Sequence, residues 1–313
     1  MCPMIMEGLT SYLPATTLVL ERDYERLGIS QNQARVFSRM YELPNCPVEE
    51  GDELSMLVQT CESLLADAPQ LRQQIDVVIY AHTGAVSGVW GQSIVTQLVR
   101  TLGLKHAQPL ATCSNNCVAI FSALDLARHH LQNAGSDAKA LIVVGEIADN
   151  VELRVVANVA IVGDGAGAGI FSLSGCGPKM LAHAIHSWPG YAHGIWLPTN
   201  SDCYKDFELN YQPRLKAVID DVLRKADTTL DQINWIVPHN VNIWMWRKAA
   251  AYLDFPLEKI FLSNIRRTAH CLGADMFINF HSLQESAEFS VDDKVLMVST
   301  GVGGVFGAAL FQY

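Results

Sequence analysis

Charge is scarce in this 313-residue sequence: 17% of it is Asp, Glu, Lys or Arg, where an average globular chain carries about a quarter. Basic residues are the scarcer sign, 22 against 32 acidic ones, giving a net charge of −10. Without a global positive field, nucleic acid is excluded as the main partner. No CxxC pair and no HExxH occurs, and the eight cysteines are scattered from Cys2 to Cys271. Neither a disulfide framework nor a metal site is indicated. No Lys or Arg precedes Arg22, so MCPMIMEGLTSYLP does not read as a secretory leader. The least charged window, 155–175, holds five glycines, Asn158 and Asp164, which argues against a membrane helix. A cytoplasmic enzyme is expected. Against these shortages, half of the residues are hydrophobic and the mean hydropathy is +0.16. That abundance predicts buried strands and an extensive subunit interface.

The sequence repeats its own architecture. A helix over 53–76 and the strand IDVVIYAHTG (75–84) match a helix over 211–232 and the strand INWIVPHNVN (233–242). Both helices space apolar residues by three and four, and both strands are short β-branched runs of the buried type. Helices follow at 93–104 and 243–255, then a strand and turn at 107–117 and 258–271. Long helices come next at 118–135 and 273–287, and strands KALIVVGE (139–146) and KVLMVSTG (294–301). Each half closes on a glycine-rich turn and last strand, VGDGAGAGIFSL (162–173) and GVGGVFGAALFQY (301–313). The order implies a duplicated α/β fold with helices covering the sheets. The halves are placed at 1–174 and 175–313, with 175–212 as a linking excursion marked by Pro178, Pro189, Gly190 and Pro198.

Cys117 sits where a strand-turn enters a long helix, and the partial positive charge of a helix N-terminus favours a thiolate there. His270 holds the duplicated position in the second half, and His239 directly follows the strand INWIV. Loops at equivalent strand ends of two pseudo-symmetric sheets face one pocket, so a thiol and two imidazoles can converge. Read singly, each is an ordinary small hydrophobe or a satisfied polar residue. GDGAGA (163–168) leads into a strand and lacks GK[ST], so it is not a phosphate loop.

These residues carry a resemblance. NCVAIFSAL (116–124) resembles the nucleophile segment of the ketoacyl-acyl-carrier-protein synthase III branch of the thiolase-like superfamily. In the right order, GDGAGA (163–168), PHNVN (238–242) and GVGGVFGAAL (301–310) are similar to further signatures of that family, and GLTSYLP (8–14) to its opening strand. The resemblance implies a thiolase-like αβαβα layered fold and a homodimer. It also implies that Cys117 accepts an acyl group from a coenzyme A or phosphopantetheine carrier-protein thioester, with no permanently bound cofactor. His239 is carried over as the first catalytic histidine, with Asn242 of the same segment supporting the site.

The sequence departs from the family at the second motif, where Ala269-His270-Cys271-Leu272-Gly273-Ala274-Asp275 replaces an asparagine by His270. Two imidazoles can serve a decarboxylative condensation as donors to the developing enolate. Alternatively His270 is a general base for an alcohol or amine that attacks the acyl-cysteine. Asp275 then orients the base, or is an ordinary first-turn helix aspartate. The backbone amides of Cys117 and of Gly303 or Gly304 are the expected oxyanion hole, unless the glycines serve only the turn. A family arginine falls on Trp244. Arg247, Lys248, Arg266 and Arg267 keep the neighbourhood basic and greet an acidic carrier or a coenzyme A phosphate, or are simply a solvated face. The expected activity is acyl transfer to a nucleophile in specialised-metabolite assembly. Condensation with malonyl-carrier protein is the alternative, and a non-catalytic subunit of a heterodimer the reading from another class.

Overall fold

The computed structural model describes residues 3–66, 68–84, 92–149, 151–156, 159–193 and 198–313, with backbone alone at 151–152. Cys2 and Asn158, named above, lie outside the described residues.

Short apolar runs form the sheets, β-branched and buried in IDVVIYA (75–81) and KALIVVGE (139–146). The first half contributes strands β1 (Met4–Tyr12), β2 (Ile75–Ala81), β3 (Gln108–Thr112), β4 (Lys139–Glu146) and β5 (Gly165–Ser172). The second contributes β6 (Lys179–Ser187), β7 (Trp235–Pro238), β8 (Lys294–Gly301) and β9 (Val305–Gln312). Their hydrogen-bonded order is β7-β8-β9-β6-β1-β5-β4-β2-β3. Read outward from the β1–β6 contact, the halves follow one plan. β5 and β9 are antiparallel to both neighbours, and the β4–β2 pair is parallel like the β8–β7 pair. β1 meets β6 only through Met4↔Met180 and Ile5↔Lys179, so two sheets touch at a corner.

Among the described residues, six longer helices complete the layers: α1 (Glu53–Leu65), α2 (Ile94–Thr101), α3 (Ala119–Asn133), α4 (Asp202–Lys225), α5 (Ile243–Leu253) and α6 (Asp275–Ser286). β4 shows how the period of two builds a layered core. Its Ala140, Ile142 and Val144 face a central cluster with Phe121 and Phe277, while Leu141 and Val143 face an outer one with Leu57 and Leu98. β8 does the same: Val295 and Met297 join the central cluster, Leu296 and Val298 an outer one with Val218 and Trp246. α3 and α6 therefore lie between two sheets, with α1 and α2 outside one sheet and α4 and α5 outside the other. This is the thiolase-like αβαβα arrangement. Both faces of both sheets are covered, which accounts for the shortage of charge.

The glycine turns are crossed between the halves. A Cβ at Gly167 of β5 would stand 2.5 Å from Phe277 Cβ of α6, and one at Gly307 of β9 would stand 2.6 Å from Phe121 Cδ2 of α3. Each half thus thins a strand to admit the other half's central phenylalanine.

Several boundaries differ from expectation. Residues 175–212 are not a linking excursion, because 179–187 are a sheet strand equivalent to β1 and α4 begins at Asp202. Pro178 precedes that strand, where a missing N–H is tolerated. α4 starts nine residues before the expected Tyr211, capped by Ser201, whose hydroxyl accepts from Tyr204 N at 3.1 Å, and it ends at Lys225. The helix expected over 53–76 ends at Leu65. The strand expected at 258–271 reduces to isolated parallel bridges: Ile236↔Ile260, in the place β3 takes beside β2, and Val162↔His270.

Candidate active site

Cys117 is delivered by a strained corner. β3 ends at Thr112, Asn116 takes a left-handed φ of 50°, and one 3₁₀ turn (Asn116–Val118) leads into α3. The thiol is buried, 3% exposed, and the Cys117 carbonyl accepts from Ser299 Oγ at 3.2 Å. The sulfur lies 3.5 Å from His270 Nε2 across 153 residues of sequence.

The other nitrogen of His270 fixes what that imidazole can do. Nδ1 stands 2.5 Å from Asp275 Oδ2. Asp275 is fully buried at the start of α6 and accepts also from Asn240 N at 2.5 Å and Cys271 N at 2.8 Å. It is a first-turn aspartate and the histidine's partner at once. Burial alone would push the His270 pKa down, but the Asp275 charge, with Cys117 adding to it, outweighs burial and lifts the value to about 10. Cys117, His270 and Asp275 form a thiol–imidazole–carboxylate line, the geometry of an activated nucleophile whose base is oriented by an acid.

His239 is placed differently. It follows β7, its backbone N–H donates to Val298 O at 3.2 Å, and its ring lies 5.9 Å from the His270 ring, between centroids. Its Nε2 is bonded to Thr300 Oγ1 at 3.1 Å, and its buried Nδ1 has no partner among the described residues. Burial, with repulsion from His270 second, lowers its pKa to about 3, so this ring is neutral. Of the two imidazoles expected to meet the thiol, only His270 is hydrogen-bonded to it.

A buried amide cluster joins the two histidine segments. Asn279 of α6 donates to Pro238 O at 2.7 Å and to Asn240 Oδ1 at 2.8 Å, and Asn240 donates to Thr268 Oγ1 at 3.0 Å. Sequence reasoning missed Ser299, Thr300, Asn240, Thr268 and Asn279. The signal available was polar residues set inside apolar runs, as in MFINF (276–280).

Other candidates take structural places. Asn242 caps α5, accepting from Met245 N at 3.0 Å and donating to Val159 O at 2.8 Å, so its amide is engaged away from the thiol. Gly304 has a φ of 73° and its N–H donates to Gly301 O at 3.2 Å, which removes it as an oxyanion donor. The Gly303 N–H has no acceptor among the described residues. Trp244 is 43% exposed, with the Arg247 guanidinium 5.8 Å from its ring centre. Arg247 and Arg266 both bind Glu42, each at 3.0 Å, which neutralises part of the expected basic patch. Lys248 and Arg267 are exposed and make no ion pair among the described residues. In GDGAGA, Asp164 is buried against Arg154 at 2.6 and 2.7 Å, a structural pair. No group of three or more His, Cys, Asp or Glu able to hold a metal occurs among the described residues. Nor is any described helix long and apolar enough to cross a membrane.

Comparison with known proteins agrees with the fold that carries this site. Residues 223–313 match the family model of the 3-oxoacyl-[acyl-carrier-protein] synthase III C-terminal region. A β-ketoacyl-[acyl-carrier-protein] synthase III of Neisseria gonorrhoeae is 23% identical over 321 residues, covering 98% of each chain. One from Acholeplasma laidlawii is 27% identical over 249 residues, covering 77% of each. Among solved structures, the acyltransferase ChlB3 superposes with a TM-score of 0.84 at 20% identity, covering 99% of this chain and 97% of its own. The 3-oxoacyl-[acyl-carrier-protein] synthase III of Aquifex aeolicus superposes with a TM-score of 0.82 at 22% identity, covering 99% and 100%.

Proposed function

We propose, from the premise that this chain is ketoacyl synthase III-like with a thiolase-like fold, that it transfers an acyl group through Cys117 to an acceptor nucleophile. The observation that carries this reading is Asp275 on His270 Nδ1, with His270 Nε2 on the thiol.

The Cys117 sulfur attacks the thioester carbonyl of a coenzyme A or carrier-protein donor, and its proton passes to His270. The carbon–sulfur bond to the donor breaks, and the donor's thiol leaves with the His270 proton. The now neutral imidazole accepts the proton of an incoming hydroxyl or amine, whose oxygen or nitrogen attacks the acyl-cysteine. The acyl–sulfur bond breaks and Cys117 regains its proton from His270. Asp275 holds the ring and stabilises each imidazolium. The amides of Cys117 and Gly303 are the oxyanion donors in this scheme.

Decarboxylative condensation is the second reading, favoured by the two imidazoles 5.9 Å apart. An inert partner subunit fits less well, since it gives no reason for the hydrogen-bonded thiol–imidazole–carboxylate line. The assignment extends to specialised-metabolite assembly, to halves meeting at 174/175, and to a cytoplasmic homodimer. Support for the dimer is the edge strand β3, whose outer residues are partly exposed. Trp244, Lys248 and Arg267, beside the Glu42-bound Arg247 and Arg266, are the surface assigned to the acyl donor.

Mass spectrometry of the protein incubated with a panel of acyl thioesters tests the reading, with an acyl increment on Cys117 expected. No adduct across a broad panel leaves the inert subunit. An adduct that releases carbon dioxide with malonyl-carrier protein, and acylates no hydroxyl or amine acceptor, establishes condensation instead. His270→Asn separates the two further, because it cripples transfer but preserves condensation.

A further inference from the structure

His239 does not stand alone in its pocket. Thr300 Oγ1 lies 3.1 Å from its Nε2, and Tyr211 OH lies 3.0 Å from the same Oγ1. Tyr211 reaches in from α4 and is 8% exposed, and its hydroxyl has no second partner among the described residues. Thr300 is the penultimate residue of β8, one residue after the Ser299 that holds the Cys117 carbonyl. Three elements thus converge on one chain of two hydrogen bonds.

Counting protons gives that chain a direction. A neutral imidazole has one N–H and one lone pair, and each hydroxyl has one proton. If His239 donated from Nε2 to Thr300, three protons would share two hydrogen bonds, and the proton of either Tyr211 or Thr300 would have no acceptor among the described residues. In the opposite sense Tyr211 donates to Thr300, Thr300 donates to Nε2, and every hydroxyl proton is placed. Nδ1 is unpartnered either way, so it does not alter the comparison. A buried hydroxyl left without its acceptor is the costlier arrangement.

We infer that Tyr211 and Thr300 are a positioning pair that holds His239 as the Nδ1–H tautomer, with its Nε2 lone pair filled by the threonine hydroxyl. His239 then has no proton to offer at Nε2 and no free lone pair there with which to act as a base. Proton transfer falls to His270 alone. This consequence rests on the transfer reading above, but the tautomer itself does not.

The tautomer is read directly from long-range proton–nitrogen correlations in histidine-labelled protein at neutral pH, with the His239 signals identified by their loss in His239→Gln. The wild type is expected to show an unprotonated Nε2 and a protonated Nδ1. Thr300→Val moves the proton towards Nε2, Thr300→Ser restores the wild-type pattern, and Tyr211→Phe gives a mixture. A protonated Nε2 in the wild type, or a folded Thr300→Val with the wild-type pattern, overturns the inference. The wild-type spectrum needs no variant to fold and no acyl donor, so failed acyl transfer leaves this test standing.

Discussion

Val162 and His270 pair as an isolated parallel bridge between the two halves. The His270 N–H donates to Ile161 O at 3.0 Å, and the Gly163 N–H donates to His270 O at 3.1 Å. The GDGAGA segment is therefore the backbone brace of the catalytic imidazole candidate.

That brace requires glycine. A Cβ at Gly163 would stand 2.3 Å from Thr268 O and 2.8 Å from Pro47 Cδ, and a main-chain oxygen cannot swing aside. Gly163→Ala is expected to cost about 1–3 kcal/mol of stability and to weaken acyl transfer by moving His270. Urea unfolding beside a transfer assay checks this; an unchanged midpoint refutes it.

Asp275→Asn is expected to lower transfer by roughly 10²–10⁴-fold, as loss of an orienting acid does in related triads. Without the carboxylate, burial pulls the His270 pKa down from about 10. A nuclear magnetic resonance titration of the His270 ring should therefore show loss of its proton at lower pH in the variant. A wild-type titration curve in the variant would remove Asp275 from this role.

The two histidines should bend stability in opposite directions. The His270 pKa is raised to about 10, so its contribution is complete below the unfolded value near 6.5 and is lost as pH rises towards 10. The His239 pKa is lowered to about 3, so the unfolded chain binds a proton that the folded one refuses, and stability falls as pH drops from 6.5 towards 3. His239→Gln should flatten the acid limb of the unfolding midpoint against pH, and His270→Asn the alkaline limb.

Reversal at Lys248 tests the donor surface better than reversal at Arg247, which also breaks the Glu42 pair. Lys248→Glu is expected to raise KM for a carrier-protein donor roughly tenfold, about 1.4 kcal/mol, with kcat held and the effect fading at high salt. Equal KM values for both proteins would mark these cations as a solvated face.

Much of this was legible in sequence. The duplicated order of elements, the helix-covered sheets and the candidate thiol followed from periodicity, glycine turns and motif spacing, and the αβαβα layering from the family resemblance. His270 was visible as a departure, because the motif around it made the substitution conspicuous. Asn242 was misassigned because a helix cap and a site amide look alike in a motif. Strand β6 was hidden because the prolines and glycines flanking it, Gly177, Pro178, Pro189 and Gly190 among them, outweighed a short alternating run.

Sequence by itself determined the layers and the residues able to do chemistry, since apolar periodicity and backbone-enforcing glycines act locally. Only the tertiary structure decided their partners: Asp275 with His270, Thr300 and Tyr211 with His239, Glu42 with two arginines. Hydrogen bonds reach only about 3 Å. Which polar groups come that close depends on how two sheets and their central helices pack, and spacing along the chain does not encode that distance.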